Sequence, residues 1–189
     1  MKEKILELIQ QTHEKHKNAE EISDALGLDG AVQKEALLNA LRELESEHKI
    51  IKNKKGNYVT LKEANLYVGN IQIKNKGFGF VTSSELPLDV YVAKEDTKGA
   101  FNGDTVLVKV QPKVKQDAKD SAKVIEIIKR NLDVVVGEVI LHKEQYYLKN
   151  DDPIADVVFA INALNGAIVE HKVQAKVVEF QSDKKILVD

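Results

Sequence analysis

The sequence predicts an α+β chain: a helical first domain ending in a hairpin, followed by two copies of a small β-barrel. Three observations predict this fold class. Apolar residues recur at helical spacing in the first third, the period then shifts to two, and two later stretches repeat one another. With 43% hydrophobic and 31% charged residues the composition is globular, and the expected domains are residues 1–63, 64–130 and 131–189.

Helical periodicity in the first domain comes in three groups of apolar residues. They are Ile5, Leu8 and Ile9; Ile22, Ala25 and Leu26; and Leu37, Leu41 and Leu44. Gly27 follows the second group, where a left-handed residue would end a helix, and Asp29-Gly30 turns the chain into the third. After Lys49 the period becomes two, and a Lys-Lys-Gly-Asn turn at 54–57 joins two short strands. Three helices and a hairpin are therefore predicted.

Three short helices followed by a hairpin resemble a winged helix-turn-helix domain. The third helix has Lys34 and Arg42 among four glutamates, so its charge makes it poorly suited to bind in a DNA groove. The hairpin, or wing, carries Lys52, Lys54 and Lys55, and these lysines are the better candidates for contacts to nucleic-acid phosphates. The same pattern also fits a helical cap that binds nothing.

The rest of the chain contains an internal repeat. Three pairs of segments match: "GNIQIKNKGFGFVTSSELPLDVYVA" from Gly69 with "GEVILHKEQYYLKNDDPIADVVFA" from Gly137; Asn102-Gly103 with Asn165-Gly166; and "AKVIEI" from Ala122 with "AKVVEF" from Ala175. Short apolar runs separated by turn residues fill both copies, and helical periodicity largely vanishes. Two tandem copies of one small barrel explain this pattern.

Charge is distributed unevenly along the chain, although the net charge is only −2. Residues 1–64 carry 11 Lys and Arg against 12 Asp and Glu, giving −1; residues 65–130 carry 11 against 8, giving +3; residues 131–189 carry 6 against 10, giving −4. Only the middle third has the positive balance that a polyanion such as nucleic acid favours.

Several classes of site are excluded by composition and pattern. The chain has no cysteine, which rules out disulfides, thiolate metal ligands and a cysteine nucleophile. It also lacks a phosphate-cradling glycine loop with its lysine, a nucleophile elbow and a dinucleotide fingerprint. Neither a secretory leader nor an apolar run long enough for a membrane span is visible. A cytoplasmic protein that does not contact a membrane is expected.

The segment from Lys76 to Val92 contains the strongest candidates for ligand-binding residues. Alternate strand residues face opposite sides, so Phe78 and Phe80 share one face, while Tyr91 lies opposite its two flanking valines. If the valines and glycines line the barrel interior, three rings face water, where bases can stack on them. Three lysines near the rings are then candidates for phosphate contacts: Lys74, Lys76 and Lys94. In the opposite arrangement the rings form the core and the valines face out.

"KGFGFV" and "DVYV" in this segment resemble the two ribonucleoprotein motifs of cold-shock domains, which are OB-fold barrels. The order winged helix, cold-shock barrel, divergent second barrel resembles the N-terminal half of ribonuclease R exoribonucleases over essentially all 189 residues. "NGDTVLVKV" at Asn102 is also similar to that family. The resemblance implies a chain that captures single-stranded RNA, with the winged helix assisting on structured RNA. We expect the chain to be a monomer.

Catalysis in that family uses aspartates and Mg²⁺ in a nuclease domain, which the resemblance places after Asp189 and outside this chain. RNA would be threaded 3′ end first into that domain and degraded. The resemblance therefore implies no cofactor and no catalytic residue in these 189 residues, which alone should be inactive. Mg²⁺ is implied only for the parent enzyme.

The sequence departs from the cold-shock pattern at several positions. Ile73, Lys74 and Ala93 stand where cold-shock proteins usually carry aromatics, so the ring platform should be smaller and its affinity modest. In the second barrel Tyr146 and Tyr147 are adjacent, so only one can face outward, and Val158 aligns with Tyr91. That barrel is interpreted as a spacer or as a wall of an RNA channel.

Two clusters invite a metal or catalytic interpretation that the sequence does not support. Asp151-Asp152-Pro153 pairs two carboxylates but has no nearby further ligand or base, which favours a solvated turn. His13 and His16 are one helical turn apart, yet no third ligand is placed beside them. We predict no metal site.

Two other functions are compatible with parts of the pattern. In a transcriptional regulator the winged helix would read duplex DNA while the barrels mediate dimerisation. In an interaction scaffold the aromatic patch would meet a partner protein. Neither explains why rings, lysines and glycines come together in one motif.

Overall fold

The structure is a computed structural model that describes residues 1–11, 17–111, 120–151, 157–182 and 184–189. The chain forms two compact units, Met1–Val68 and Gly69–Asp189. No helix within the described ranges combines the length and apolar character that a bilayer crossing requires. The domain boundaries predicted from the sequence remain a prediction.

The first unit contains the three helices and the hairpin that periodicity predicts. Its elements are α1 (Lys2–Gln11), α2 (Ala19–Ala25), α3 (Ala31–Ser46), β1 (Ile50–Lys52) and β2 (Tyr58–Thr60). The apolar positions at helical spacing form its core, and Ile5, Ile22 and Leu41 are each 0% exposed. β1 and β2 pair antiparallel around the turn predicted at 54–57. Its assignment as a winged helix stays a prediction.

The ends of α2 follow from local hydrogen bonding. Asn18 caps the helix: its side chain accepts from the backbone N–H of Glu20 at 2.9 Å and of Glu21 at 3.0 Å. The Glu21 carboxylate accepts in return from the Asn18 N–H at 2.8 Å, which completes a capping box. Gly27 then ends the helical segment with φ of +66°, the left-handed conformation predicted there.

From Leu66 onward the chain forms two closed five-stranded barrels in sequence, which confirms the prediction of two tandem OB-like barrels. The first is built from β3 (Leu66–Ile73), β4 (Gly79–Thr82), β5 (Val90–Val92), β6 (Thr105–Gln111) and β7 (Ser121–Lys129). The second is built from β8 (Val134–His142), β9 (Gln145–Asn150), β10 (Val158–Ile161), β11 (Lys172–Ser182) and β12 (Lys185–Val188). A 3₁₀ turn, Lys94–Asp96, follows β5.

Strand order is the same in the two barrels. It runs β3-β4-β5-β7-β6 in the first and β8-β9-β10-β12-β11 in the second. The parallel pairs β5–β7 and β10–β12 are equivalent. Gly69 and Gly137 occupy matching positions, because a Cβ there would lie 2.4 Å from the Thr82 oxygen and 2.3 Å from the Lys149 oxygen respectively. Each glycine therefore lets two strands of its barrel approach closely.

The register corrects two details of the predicted repeat. The match of Ala122 with Ala175 is wrong, because Ala122 lies in β7 whereas Ala175 lies in β11, the counterpart of β6. Tyr91 pairs with Phe80 in the first barrel, and the corresponding pair in the second is Ala160 with Tyr147. The structural equivalent of Tyr91 is therefore Ala160, two residues beyond the predicted Val158.

A buried carboxylate connects the first barrel to the segment that leads into the second. Asp104 is 0% exposed and accepts from the backbone N–H of Phe101 at 2.8 Å, that of Asn131 at 2.8 Å and Arg130 Nη1 at 3.0 Å. The Arg130 guanidinium lies 4.8 Å from the centre of the Phe101 ring and 4.9 Å from that of Phe180. Phe101 comes from the first barrel but packs in the core of the second. These contacts fix the two barrels against each other.

We expect Asp104→Ala to lower the free energy of unfolding by about 3–5 kcal/mol, because it leaves Arg130 and two amide groups without their buried acceptor. Asp151→Ala is the matched control, since Asp151 pairs with Lys172 at 2.8 Å on the surface and should cost at most about 1 kcal/mol. Urea unfolding followed by circular dichroism measures both. Equal losses in the two variants would show that the Asp104 cluster does not hold the barrels.

Candidate nucleic-acid interface

Three aromatic rings form a cluster on the outer face of β4 and β5. The ring centres of Phe78, Phe80 and Tyr91 are separated by 5.7 to 5.8 Å. All three side chains are half-buried, whereas the alternating valines point inward: Val81 and Val92 are 0% exposed. This is the arrangement predicted from alternation, and it contradicts the one in which the rings form the core.

Backbone geometry explains how the rings reach this face. Gly79 lies on the inner side, where an added Cβ would be 3.1 Å from both Ile71 Cγ1 and Ile73 Cδ1. Gly77 lies in the β3–β4 turn, not in the strand as predicted, with φ of +88°. The turn is closed by the Lys74 N–H donating to the Phe78 oxygen at 2.8 Å. Gly79 therefore allows close packing inside the barrel, whereas Gly77 allows the chain to reverse direction.

The three predicted lysines lie at the edge of the ring cluster. A shallow depression of about 490 Å³ is lined by Lys74, Asn75, Lys76, Phe78 and Phe80. Lys74 Nζ donates to Gln72 Oε1 at 2.9 Å. The aliphatic stem of Lys94 crosses the turn so closely that a Cβ on Gly77 would lie 2.8 Å from its Cδ. The structure therefore brings Lys74, Lys76 and Lys94 to one border of the rings, and all three are exposed.

Two further lysines, which the sequence interpretation missed, lie on the same outer face beyond Tyr91. Tyr91 pairs with Ser121 of β7, and Lys123 is the next outward residue of that strand. Lys123 is directly opposite Lys109 of β6. The alternation of Lys109 between Val108 and Val110 indicated an outward side chain, but the pairing of β6 with β7 could not be read from local sequence.

The second barrel has no equivalent ring cluster among its described residues. Tyr147 occupies the position of Phe80, but Ala160 replaces Tyr91 and is only 3% exposed. Tyr146 packs against the barrel core, so only Tyr147 is left for the outer face, as predicted for this adjacent pair. Gln145 lies one residue before them and donates to the Ile161 oxygen at 3.3 Å.

The wing lysines in the first unit are all exposed. Asn53 shapes their turn, because its side chain accepts from the backbone N–H groups of Lys55 at 2.9 Å and Asn57 at 3.1 Å. Lys52 Nζ lies 5.7 Å from the centre of the Tyr58 ring. Burial, helped by the Glu45 carboxylate, raises the pKa of the Tyr58 phenol, so the ring beneath Lys52 remains neutral at neutral pH. Lys54 and Lys55 lie at the tip of the hairpin.

Of the clusters considered as metal or catalytic sites, only Asp151 lies within the described residues. Asp151 forms its ion pair with Lys172, and the adjacent Asp152 and Pro153 lie outside the described residues. His13 and His16 lie outside them as well. Within the described ranges, no group of three or more His, Asp or Glu side chains is arranged to hold a metal ion.

Comparison with known proteins finds similarity to ribonucleases in both sequence and fold. The Ribonuclease B OB domain family matches residues 69–127. Ribonuclease R of Thermotoga maritima is 31% identical over 157 residues, covering 81% of this chain and 21% of that protein. Ribonuclease R of Buchnera aphidicola subsp. Schizaphis graminum is 28% identical over 135 residues, covering 70% and 18%.

A solved structure gives the same relationship at the level of fold. Mycoplasma genitalium RNase R in complex with ribose methylated single-stranded RNA superimposes with a TM-score of 0.53 at 25% identity. The match covers 65% of this chain and 21% of that one. The chain spans about a fifth of the length of the curated relatives it matches.

Proposed function

Because this chain is homologous to the N-terminal region of ribonuclease R, we propose that it binds single-stranded RNA through Phe78, Phe80 and Tyr91. The observation that carries the proposal is the cluster of three half-buried rings on the outer face of a closed barrel. An exposed apolar patch of this kind marks a binding or interaction site. Nucleic-acid bases are flat and can stack on such rings whatever the nucleotide sequence.

Ring geometry supports stacking of more than one base. The planes of Phe78 and Tyr91 differ by 37°, so their faces point in similar directions. Phe80 stands nearly edge-on to Phe78, at 85°, and supports the pair from the side. Stacking contributes about 1–3 kcal/mol per base and does not depend on base identity. Binding should therefore be tolerant of sequence and modest in affinity.

The lysines at the border of the rings are proposed to hold the RNA backbone. Lys74 and Lys76 line the depression beside Phe78 and Phe80, and the Lys94 stem is fixed against Gly77. Ammonium groups there can neutralise phosphates while the bases stack. The affinity should consequently fall as salt concentration rises, because phosphate binding releases counterions.

The second barrel is proposed to guide RNA and not to anchor it. It lacks the ring cluster at its equivalent positions, and residues 131–189 carry a charge of −4. In a full-length ribonuclease R-type protein, the first barrel would capture the strand and the second would form a wall of the path to the nuclease domain. RNA would enter that domain 3′ end first, and Mg²⁺ would act there.

We expect Phe78→Ala/Phe80→Ala/Tyr91→Ala to weaken oligo(U) RNA binding by at least about tenfold, because the stacking surfaces are lost. Fluorescence anisotropy with a labelled oligonucleotide at low and moderate salt measures the affinity. Tyr147→Ala is the matched control, since Tyr147 occupies the position of Phe80 in the second barrel and should leave the affinity unchanged. Circular dichroism checks that each variant is folded.

An unchanged affinity of the folded triple variant would contradict the proposal. Tight, sequence-dependent binding to duplex DNA that survives the ring substitutions would favour a transcriptional regulator. Salt-insensitive association with a protein and no response to oligonucleotides would favour an interaction scaffold. The three readouts therefore separate the three functions.

We propose further that the first unit is a winged helix whose wing contacts the backbone of structured RNA. Lys52, Lys54 and Lys55 are exposed around a turn fixed by Asn53. Three ammonium groups on one hairpin suit phosphate contacts that carry no sequence information. The glutamates on α3 make that helix less suitable for the same role.

We expect Lys52→Glu/Lys54→Glu/Lys55→Glu to weaken binding to RNA that contains a duplex region more than binding to a plain single strand. The reason is that the wing would contact only the structured part. Anisotropy titrations with a hairpin RNA and with oligo(U) compare the two losses. Equal losses on both ligands would remove the wing from the proposal.

A further inference from the structure

We propose that Lys109 and Lys123 form a second phosphate-binding patch, across which the RNA strand continues after leaving the ring cluster. This inference rests on the proposed function and extends it from a platform to a path across the barrel. Its basis is the juxtaposition of two lysines on the same outer face as Tyr91. The expected ligand is the sugar-phosphate backbone of the bound strand.

Strand register places the patch in line with the rings. Tyr91 of β5 is next to Ser121 of β7, and Ser121 is next to Gln111 of β6. Lys123 and Lys109 form the adjacent outward pair on β7 and β6. Neighbouring strands are about 4.8 Å apart, so the patch begins one strand from Tyr91 and ends roughly 10 Å from it. Lys74 and Lys76 lie on the opposite side of the rings, so basic groups flank the cluster on both sides.

Lys109 and Lys123 are directly opposite each other, and of the two only Lys123 has an ion-pair partner among the described residues, Asp96 at 3.0 Å. Like charges directly opposite each other on neighbouring strands are unfavourable. Within the described residues Lys109 forms no ion pair, and Lys98 adds a third ammonium group nearby by donating to the Ile125 oxygen on β7 at 2.6 Å. A bound phosphate would relieve the repulsion.

The second barrel shows the arrangement expected without such a ligand. Ala122 and Val188 are equivalent, because they pair with the equivalent residues Val92 and Ile161. The next position is therefore Lys123 in the first barrel and Asp189 in the second. Asp189 and Lys176 exchange both backbone hydrogen bonds, at 3.0 and 2.7 Å, so opposite charges face each other there. The like-charge pair is a property of the barrel that carries the rings.

A substitution of Asp96, which pairs with Lys123, provides an independent test of phosphate binding at the patch. Its carboxylate lies 3.0 Å from Lys123 Nζ, and the two side chains are 25% and 50% exposed. Asp96 therefore competes with a phosphate for Lys123 and repels the phosphate as well. If the patch binds RNA, Asp96→Asn should increase the affinity, although it removes an ion pair from the protein.

The experiment measures oligo(U) binding by anisotropy over a salt series, with an oligonucleotide of about 12 nucleotides. Lys109→Gln/Lys123→Gln should reduce the slope of log affinity against log salt by about 1.4, since each phosphate contact contributes about 0.7 on single strands. Between about 50 and 200 mM salt, the wild-type affinity should then fall about sevenfold more than that of the variant. Lys129→Gln/Lys143→Gln, the charge-matched control at exposed lysines away from the patch, should leave the slope unchanged.

Different outcomes distinguish this inference from the proposed function. Loss of slope in the Lys109/Lys123 variant but not in the control, with tighter binding by Asp96→Asn, supports the patch. A wild-type slope and affinity in that variant, while the ring variant loses binding, overturns the patch and leaves the ring platform standing. Absence of RNA binding by the wild type overturns both. Reduced binding by the lysine variant with full binding by the ring variant would contradict the ring platform, and with it a strand that continues from the rings to the patch.

Discussion

Closure of the first barrel decides where its aromatic side chains lie. The inner faces of β4 and β5 have room for glycine and valine, and Val81 and Val92 are completely buried there. Strand alternation then leaves Phe78, Phe80 and Tyr91 on the outside, in mutual contact at 5.7 to 5.8 Å. The surface that we propose for RNA is thus a consequence of how the core is filled.

The two barrels share this core construction and differ on their outer faces. Gly69 and Gly137 permit the same close strand approach, and the strand order is identical. On the outside, however, Tyr91 of the first barrel is replaced by the buried Ala160, and the opposed lysines are replaced by an oppositely charged pair. Because Asp104 and Arg130 hold the barrels together, a strand bound to the first would meet the second in a fixed orientation.

Local patterns predicted the elements and the ring cluster, but long-range register had to come from the structure. Alternation placed Phe78, Phe80 and Tyr91 on one face, and helical spacing with Gly27 predicted α2 and its end. Two predicted equivalences were wrong. Ala122 and Ala175 have similar neighbours in sequence but lie on strands that are not equivalent, and the residue that pairs like Tyr91 is Ala160, not Val158. The Lys109–Lys123 opposition depends on two strands separated by a long connection, and local sequence carries no record of their register.

We propose that RNA binds the outer face of the first barrel at its rings. Amide chemical shifts of the isotope-labelled chain, followed by NMR during an oligo(U) titration, test it most directly. We expect saturable shifts at Phe78, Phe80 and Tyr91, with little change at Tyr147 and Ala160, the counterparts of Phe80 and Tyr91 in the second barrel. Shifts confined to the second barrel or to α3, with the first barrel unmoved, would contradict it.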